Sequence, residues 1–478
     1  MKQFIFFIIL FSIQFVFANE VQKAIDLFNK NKALENAQIS FYVVDLGSSA
    51  AVASKNENKL LSPASTMKLF SSAAALEILG AAYKPKTQIL YTGEITRDSL
   101  LTGDLIVKGF GDASLGSKYF TTVEKRRAFF DVWAAKIKNA GILKIEGKII
   151  ADASSFGYFG APAGWVWGDM GNYYGAFPSG LILFDNILEL YFNTGVKAGS
   201  STEIVKTFPE IPGFLIDNYV LSENINSDNS YVFSAPYSNY AFVRGSLPLS
   251  KKSFLVKAAI QNPEALFAFE FHEALLKNSI EVAGGYMGKM QQKEQVQGAT
   301  ELFTSHGEKL VEFINLINHK SINLFAEHLA CWIALEKSGF GHHDEPIDCI
   351  YEHWEKRIEI SSARITDASG LSRNNAVSAQ QLVQLLAYME RQKNTEFYES
   401  LPILGQSGTV KSFCSGQAAS GKVRAKSGTM SRIKSYAGYA NTKSGKKLAF
   451  ALIVNNHTNT SSELKNLMEP VMNAMANY

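Results

Sequence analysis

The stretch STMKLFSSAAALEIL, Ser65–Leu79, decides how the rest of the chain is read. Pro63 precedes it, as suits a helix entry, and its apolar residues continue as a helix would. Ser65 therefore stands at or beside a helix N-terminus, and Lys68 returns to the same face one turn later. A serine hydroxyl beside a partly buried lysine can act as an activated nucleophile, because desolvation lowers the lysine pKa until the amine can accept a proton. The same residues also fit an N-cap serine followed by a solvated lysine. Partners elsewhere in the chain have to decide between the two.

The chain has 478 residues, enough for roughly two or three domains with ample core. A hydrophobic fraction of 46% and a charged fraction of 19% are ordinary for a soluble globular protein. The net charge of +3 argues against electrostatic recruitment of nucleic acid. No Lys/Arg-rich block, zinc-like Cys/His spacing or Gly-rich phosphate loop occurs, so neither metal nor organic cofactor is expected. His342-His343-Asp344 reads as a polar loop, because no further ligands are spaced around it. The opening MKQFIFFIILFSIQFVFANE combines Lys2, an apolar run and Val16-Phe17-Ala18 at a suitable cleavage site. Residues 1–18 are read as a signal peptide, with a membrane anchor as the alternative. The mature protein is then exported, soluble or peripherally attached to a membrane. Cys331 and Cys349 are near enough in sequence to pair, leaving Cys414, but the sequence leaves the pairing open.

Partners for Ser65 must be chosen among decoys. A second S-x-x-K occurs at Ser431–Lys434, between expected strands, where i and i+3 point to opposite faces. Lys-Ser-Gly starts at Lys337, Lys426 and Lys443. Lys337 belongs to a helix end stopped by Gly339, and Lys443 to a hairpin turn. Lys426-Ser427-Gly428-Thr429 instead follows a strand-like Val423-Arg424-Ala425. There the Lys426 charge and the Ser427 hydroxyl can hold a carboxylate, and Gly428 admits a close backbone approach. Ser372-Arg373-Asn374 lies on a Gly-containing loop between helical regions and is preferred to Ser222-Glu223-Asn224, in the middle of the chain, and to Ser227-Asp228-Asn229, in a polar, turn-like stretch there. Asn375 leaves open which neighbouring amide points inward.

The two ends of the chain are expected to share one α+β domain. Ile39–Asp45 and Ala50–Ser54 read as a hairpin, and Lys422–Ala425, Ser435–Ala440 and Leu448–Val454 as three further strands. Together they can form one antiparallel five-stranded sheet flanked by helices. Helices are expected over Glu308–Leu335, Ser378–Gln392 and Ser461–Ala476, the last kinked or broken at Pro470. The middle reads as a β-rich insertion, with short runs at Leu105–Val107, Lys148–Ala151, Ile187–Phe192 and Phe254–Ala258. The expected division is 19–84 with 296–478 for the split domain and 85–295 for the insertion.

With these residues chosen, the chain resembles the low-molecular-mass class C penicillin-binding proteins, the D-alanyl-D-alanine carboxypeptidase/endopeptidase family. Ser65–Lys68, Ser372–Asn374 and Lys426–Gly428 are similar to the family's S-x-x-K, S-x-N and K-T-G, with Ser427 for threonine. Gly109–Leu115 is similar to G-x-G-D-P-x-L, with Ala113 for proline. Asn323–Leu329 resembles N-x-x-A-E-x-L, and Asp367–Arg373 resembles D-G-S-G-L-S-R, with Ala368 for glycine. Leu401–Thr409 resembles L-P-x-A-G-x-D-G-T, with Leu404 and Ser407 as departures. These matches follow the family order, and the long gap between Lys68 and Ser372 matches a class that inserts extra domains there.

The resemblance implies a penicillin-binding/β-lactamase-like transpeptidase fold, a periplasmic location and a serine acyl-enzyme acting on peptidoglycan stem peptides, with β-lactams as covalent inhibitors. It implies Ser65 as nucleophile, Lys68 as base and Ser372 as proton relay. Asn374, Lys426, Ser427, Gly428 and Thr429 would bind substrate, with Ser65 and Thr429 supplying oxyanion N–H groups. Asp169, in the aromatic stretch Gly164–Tyr174, would read the free amine of a diaminopimelate side chain, unless that stretch is a packed aromatic core. A serine β-lactamase or esterase, and a catalytically silent peptidoglycan-binding protein, are the competing readings.

Overall fold

A computed structural model describes residues 20–157, 160–289, 298–341 and 346–478. The expected signal peptide and His342-His343-Asp344 lie outside the described residues. The chain folds as two compact units. The first holds the described residues up to Ala81 with Val311–Ile322 and Ile350–Tyr478; the second holds Ala82–Leu310 and Asn323–Cys349.

The first unit carries strands β1 (Gln38–Asp45) and β2 (Ala51–Lys55), then helix α1 (Lys68–Leu79), entered through a tight turn at Ala64–Met67. Later come α2 (Ala379–Arg391), β3 (Val423–Met430), β4 (Ile433–Asn441), β5 (Lys447–Asn455) and α3 (Ser461–Asn477). The strands form one sheet in the order β3-β4-β5-β1-β2, and every pairing is antiparallel. The β5–β1 ladder, with Leu452 opposite Phe41, closes the chain's two ends into one domain. This is the α+β architecture expected from the sequence.

One sheet face is apolar, with Phe41, Val43, Phe450, Leu452 and Val454 buried in a core shared with Leu464, Met468 and Met472 of α3. Thr460 and Glu463 cap α3 reciprocally. The helix continues through Pro470 rather than breaking there. Pro470 and Asn466 are both exposed, so water can satisfy the carbonyl that the proline leaves without a donor. Helix α1 is different, being buried from Lys68 to Leu76. An all-round buried helix at the centre of the domain is what a nearly uninterrupted apolar and small-residue sequence predicts. The expected helix at Glu308–Leu335 is two, Leu310–Lys320 and Asn323–Ser338, separated where Ser321 takes φ of 60°.

In the second unit the four expected β runs are strands: Leu105–Gly109, Ile149–Asp152, Ile187–Asn193 and Phe254–Ala259. The first two lie in a mixed five-stranded sheet with Lys86–Tyr91, Tyr286–Lys289 and Thr300–His306. Among the described residues two long helices of this unit were not anticipated, Ala128–Asn139 and Pro263–Lys277. Their signals were present. Phe130, Trp133, Ala134 and Ile137 follow helical spacing and are buried, and Asn262-Pro263 is an N-cap followed by proline at the first turn. All three cysteines are free thiols.

Two buried carboxyls give this unit a pH dependence. Burial pushes Glu264 up to about 7 and Asp112 up to about 6. Among the described side chains only the Ser179 hydroxyl, at 3.4 Å, reaches the Glu264 carboxyl, and the other carboxyl oxygen has no hydrogen-bond partner among the described residues. Because the folded pKa lies above the ordinary 4.5, the native state keeps a proton that the unfolded chain loses. Stability therefore falls as pH rises through roughly 4.5 to 7. The thermal midpoint should drop between pH 5 and pH 8, and Glu264→Gln should remove part of that drop, on the order of 2–3 kcal/mol. Identical pH slopes for wild type and variant in calorimetry would refute the assignment.

Candidate active site

The turn before α1 presents Ser65 as the one partly exposed residue between Leu61 and Phe70. Its neighbour Ala64 has φ of 46°, an uncommon conformation for a residue with a Cβ. Lys68, one turn on, is fully buried. Its Nζ donates to Ser65 Oγ at 2.9 Å and to the Ser369 carbonyl at 2.6 Å. Serine and lysine are thus joined directly, and the solvated-lysine alternative does not describe this site.

The Ser369 carbonyl belongs to a loop organised by the buried Asp367 carboxylate. Asp367 accepts from the N–H groups of Gly370 at 2.7 Å and Ser372 at 2.6 Å, and from the Asn375 amide at 2.8 Å. Asn375 is buried; its amide also donates to the Ser372 carbonyl, and its oxygen accepts from Thr366 N–H. Asn375 is thus spent inside the loop, whereas Asn374 is exposed. Ser372 Oγ, fully buried, accepts from Asn374 N–H at 3.2 Å. Ser71 Oγ, from α1, donates to the Ala368 carbonyl at 3.0 Å and ties loop to helix.

The third element is the edge strand β3, which extends beyond the expected Ala425 to Met430. Residues 426–429 pair with Ala437, Tyr436, Ser435 and Lys434 of β4. Lys-Ser-Gly-Thr has little strand preference alone, so the ladder imposes the conformation. Lys426 is fully buried, and its Nζ donates to Ser321 Oγ at 2.9 Å and to the Ser427 carbonyl at 2.8 Å. Burial, with repulsion from Lys68 and Lys434, pushes its ammonium well below the ordinary lysine range. Ser427 Oγ lies 2.7 Å from Thr409 Oγ1.

Gly428 has a structural reason to be glycine, beside the close backbone approach expected from the sequence. A Cβ there would lie 2.2 Å from Ser435 Oγ, 2.6 Å from the Pro63 carbonyl and 2.9 Å from Ser65 N. The missing side chain lets the strand close on the nucleophile turn. Ser435 Oγ completes the joint by donating to the Pro63 carbonyl at 2.5 Å.

This constellation has relatives. The model of the D-Ala-D-Ala carboxypeptidase 3 (S13) family matches residues 21–478. A D-alanyl-D-alanine carboxypeptidase of Actinomadura sp. (strain R39) is 30% identical over 459 residues, covering 92% of this chain and 81% of the relative. The chain belongs to the S13 family. It is a serine-type carboxypeptidase, a hydrolase. The crystal structure of penicillin-binding protein 4 (dacB) from Haemophilus influenzae superposes with a TM-score of 0.81 at 23% identity, over 93% of this chain and 97% of that one. A structure of the same protein complexed with a β-lactam gives 0.76 at 22% identity, over 94% of this chain and all of that one. These likenesses confirm the fold.

Of the S13 segments, Leu401–Thr409 has a legible task. Pro402 carbonyl accepts from Ala425 N–H at 2.9 Å and Leu404 N–H donates to Val423 carbonyl at 2.8 Å, so this segment covers the first half of the β3 edge. By the two-residue period, the main-chain groups of Ser427 and Thr429 face the same edge farther along. Thr409, Ser321, Ser435 and the Asp367–Asn375 pair are residues whose part the sequence reading did not assign. Asp367 and Thr409 lay within recognised segments, whereas Ser321 and Ser435 carried no signal.

The decoys do not assemble. Lys434 Nζ donates to Thr429 Oγ1 at 2.8 Å, not to Ser431. Lys337 Nζ donates to the Cys349 carbonyl at a helix end. Asp228 accepts from Ser230 in a turn. Asp169 lies in the second unit on the short helix Trp167–Met170. Trp167 and Tyr173 are about half exposed and only Trp165 is buried, so the stretch is not a packed aromatic core. Burial and the adjacent Asp169 carboxylate push the Tyr174 hydroxyl far upward.

Gly428→Ala tests the joint between strand and turn. Its methyl has to displace the Pro63–Ser65 backbone, so kcat on an acyl-D-Ala-D-Ala tripeptide should fall by about a hundredfold. An unchanged kcat in a folded variant would show that the turn tolerates movement.

Proposed function

We propose that the chain hydrolyses the terminal D-Ala-D-Ala bond of peptidoglycan stem peptides through an acyl-enzyme on Ser65. The observation that carries this reading is the 2.9 Å bond from buried Lys68 Nζ to Ser65 Oγ. Lys68 takes the hydroxyl proton as Ser65 Oγ bonds to the carbonyl carbon of the penultimate D-Ala. The oxyanion that forms is held by the N–H groups of Ser65 and Thr429. Collapse breaks the peptide bond, and Ser372 passes a proton to the departing D-Ala amine. Water then cleaves the ester and restores Ser65.

The substrate lies along the uncovered part of β3 as an added strand, with Asn374 orienting its amide. Its terminal carboxylate is held by Lys426 and Ser427. A buried, depressed Lys426 is costly to keep charged in an empty site, and an incoming carboxylate restores the charge and gains from it. Gly428 keeps Ser65 beside that strand. Asp169 binds a cationic amine on the stem peptide. A cross-linking D-Ala bond has the same acyl half, so endopeptidase cleavage follows the same steps with a different departing amine. β-Lactams, which mimic acyl-D-Ala-D-Ala, acylate Ser65. Residues 1–18 direct export to the periplasm, and no described helix is long and apolar enough to cross a membrane.

Labelling with a fluorescent penicillin should give a stable adduct on the wild type and none on Ser65→Ala, with D-Ala released from a tripeptide by the wild type alone. Penicillin destroyed without an adduct would indicate a β-lactamase, and penicillin left intact a silent binding protein. Asp169→Asn should lower kcat/KM about tenfold for a stem peptide with a free side-chain amine and leave its N-acetylated form unchanged. Equal losses on both peptides would remove Asp169 from substrate recognition.

A further inference from the structure

In the second unit the strands Leu215–Glu223, Tyr240–Pro248 and Tyr231–Phe233 form a small sheet with two unlike faces. On one, Val220, Val232 and Val243 are buried in a core. The other is open and aromatic. The register sets Tyr219 and Tyr231 on either side of Arg244, and Asp217 and Phe233 on either side of Phe242; paired residues share a face. Tyr219 is 62% exposed and Tyr231 51%, although aromatic side chains are mostly buried. The rings of Phe233 and Phe242 stack at 5.0 Å and 11°, and the Arg244 guanidinium lies 5.1 Å over Phe233. Tyr240, in the next row, donates its hydroxyl to Asp217 at 2.8 Å. Trp167, 48% exposed, extends the surface 6.1 Å from Phe233.

We propose that this face binds the glycan strand from which the stem peptides hang. A pyranose ring offers an apolar C–H face and a rim of hydroxyls. Flat rings held at a wet surface with a carboxylate, a guanidinium and phenol hydroxyls between them complement both. Contiguous exposed apolar surface of this kind marks an interaction site. In the two central rows the one carboxylate, Asp217, is offset by the one guanidinium, Arg244, which fits a neutral polyol better than a polyanion or polycation. The face is also continuous with the stretch proposed to read the stem peptide. Asn172 donates to the Val232 carbonyl at 3.3 Å and accepts from its N–H at 3.2 Å. That bond fastens the segment carrying Asp169 to the edge of this sheet. A glycan on the sheet then presents its peptide branches beside Asp169. The inference rests on peptidoglycan being the substrate.

The test uses full-length Ser65→Ala protein and glycan strands stripped of stem peptides by an amidase. Sedimentation or calorimetry should show binding, weakened about tenfold or more when Tyr219 and Tyr231 are both changed to Ala. Arg244→Gln, at an exposed position, should weaken it measurably without shifting the melting temperature, and decides the matter should the double variant melt early. No binding of stripped strands, or equal binding by a folded Arg244→Gln or double variant, overturns the proposal. Loss of self-association in the double variant with glycan binding unchanged would assign the face to a second copy of the chain and overturn it too. In the Ser65 background, D-Ala release from a soluble tripeptide reports the catalytic reading separately. Release without glycan binding sinks this inference alone; glycan binding without release sinks the catalytic reading alone.

Discussion

A lysine amine buried away from water is the constraint around which the first unit is arranged. Lys68 is fully buried, and its charged form is costly there unless protein dipoles replace the lost hydration. Here Ser65 Oγ and the Ser369 carbonyl supply them. The first comes from the turn that opens α1, the second from a loop far away in sequence. The loop can deliver its carbonyl because the Asp367 carboxylate gathers the Gly370 and Ser372 N–H groups and the Asn375 amide around itself. The same turn of chain that solvates the lysine thus fixes Ser372. A second buried lysine lies in the same unit: burial first, then Lys68 and Lys434, disfavour the ammonium form of Lys426.

Close packing of backbone on backbone makes this geometry possible, and it requires glycine at two positions. Gly370 has φ of 80°, and a Cβ there would lie 2.0 Å from the Ala64 carbonyl. Gly428 performs the same service from the other side, against Pro63 and Ser65. The nucleophile turn is therefore gripped between the loop and the edge strand. That grip sustains the left-handed conformation of Ala64, which an isolated turn would relax at a gain of about 1 kcal/mol or more.

The fold of this unit was largely legible, because alternating strands at both chain ends and a long apolar helix carry their periods openly. The nearness of Ser65 and Lys68 was legible too, since their spacing of three sets them one turn apart. What was illegible depends on tertiary contact. Lys-Ser-Gly-Thr becomes strand only through β4. Ser321 and Ser435 are ordinary serines until folding brings them against Lys426 and Pro63. The role of Asn375 against Asn374 rests on a hydrogen bond to Asp367 that no spacing rule supplies. In the second unit the helix Ala128–Asn139 stands against the β-rich expectation for the insertion, and its period of Phe130, Trp133 and Ile137 is the signal that carries it.

The edge of β3 shows how a sheet can be kept both safe and useful. An exposed edge strand invites any extended chain to pair with it. Leu401–Thr409 removes that liability for Val423 and Ala425 by pairing with them. The main-chain groups that remain uncovered on that edge are those of Ser427 and Thr429, and the period of two allows an added strand no slip of one residue without turning its side chains to the other face. Thr409, at the end of the covering segment, also touches Ser427 Oγ, so the group that closes the edge also sets the hydroxyl at the point where it opens. Register along this edge is in this way built into the strand itself.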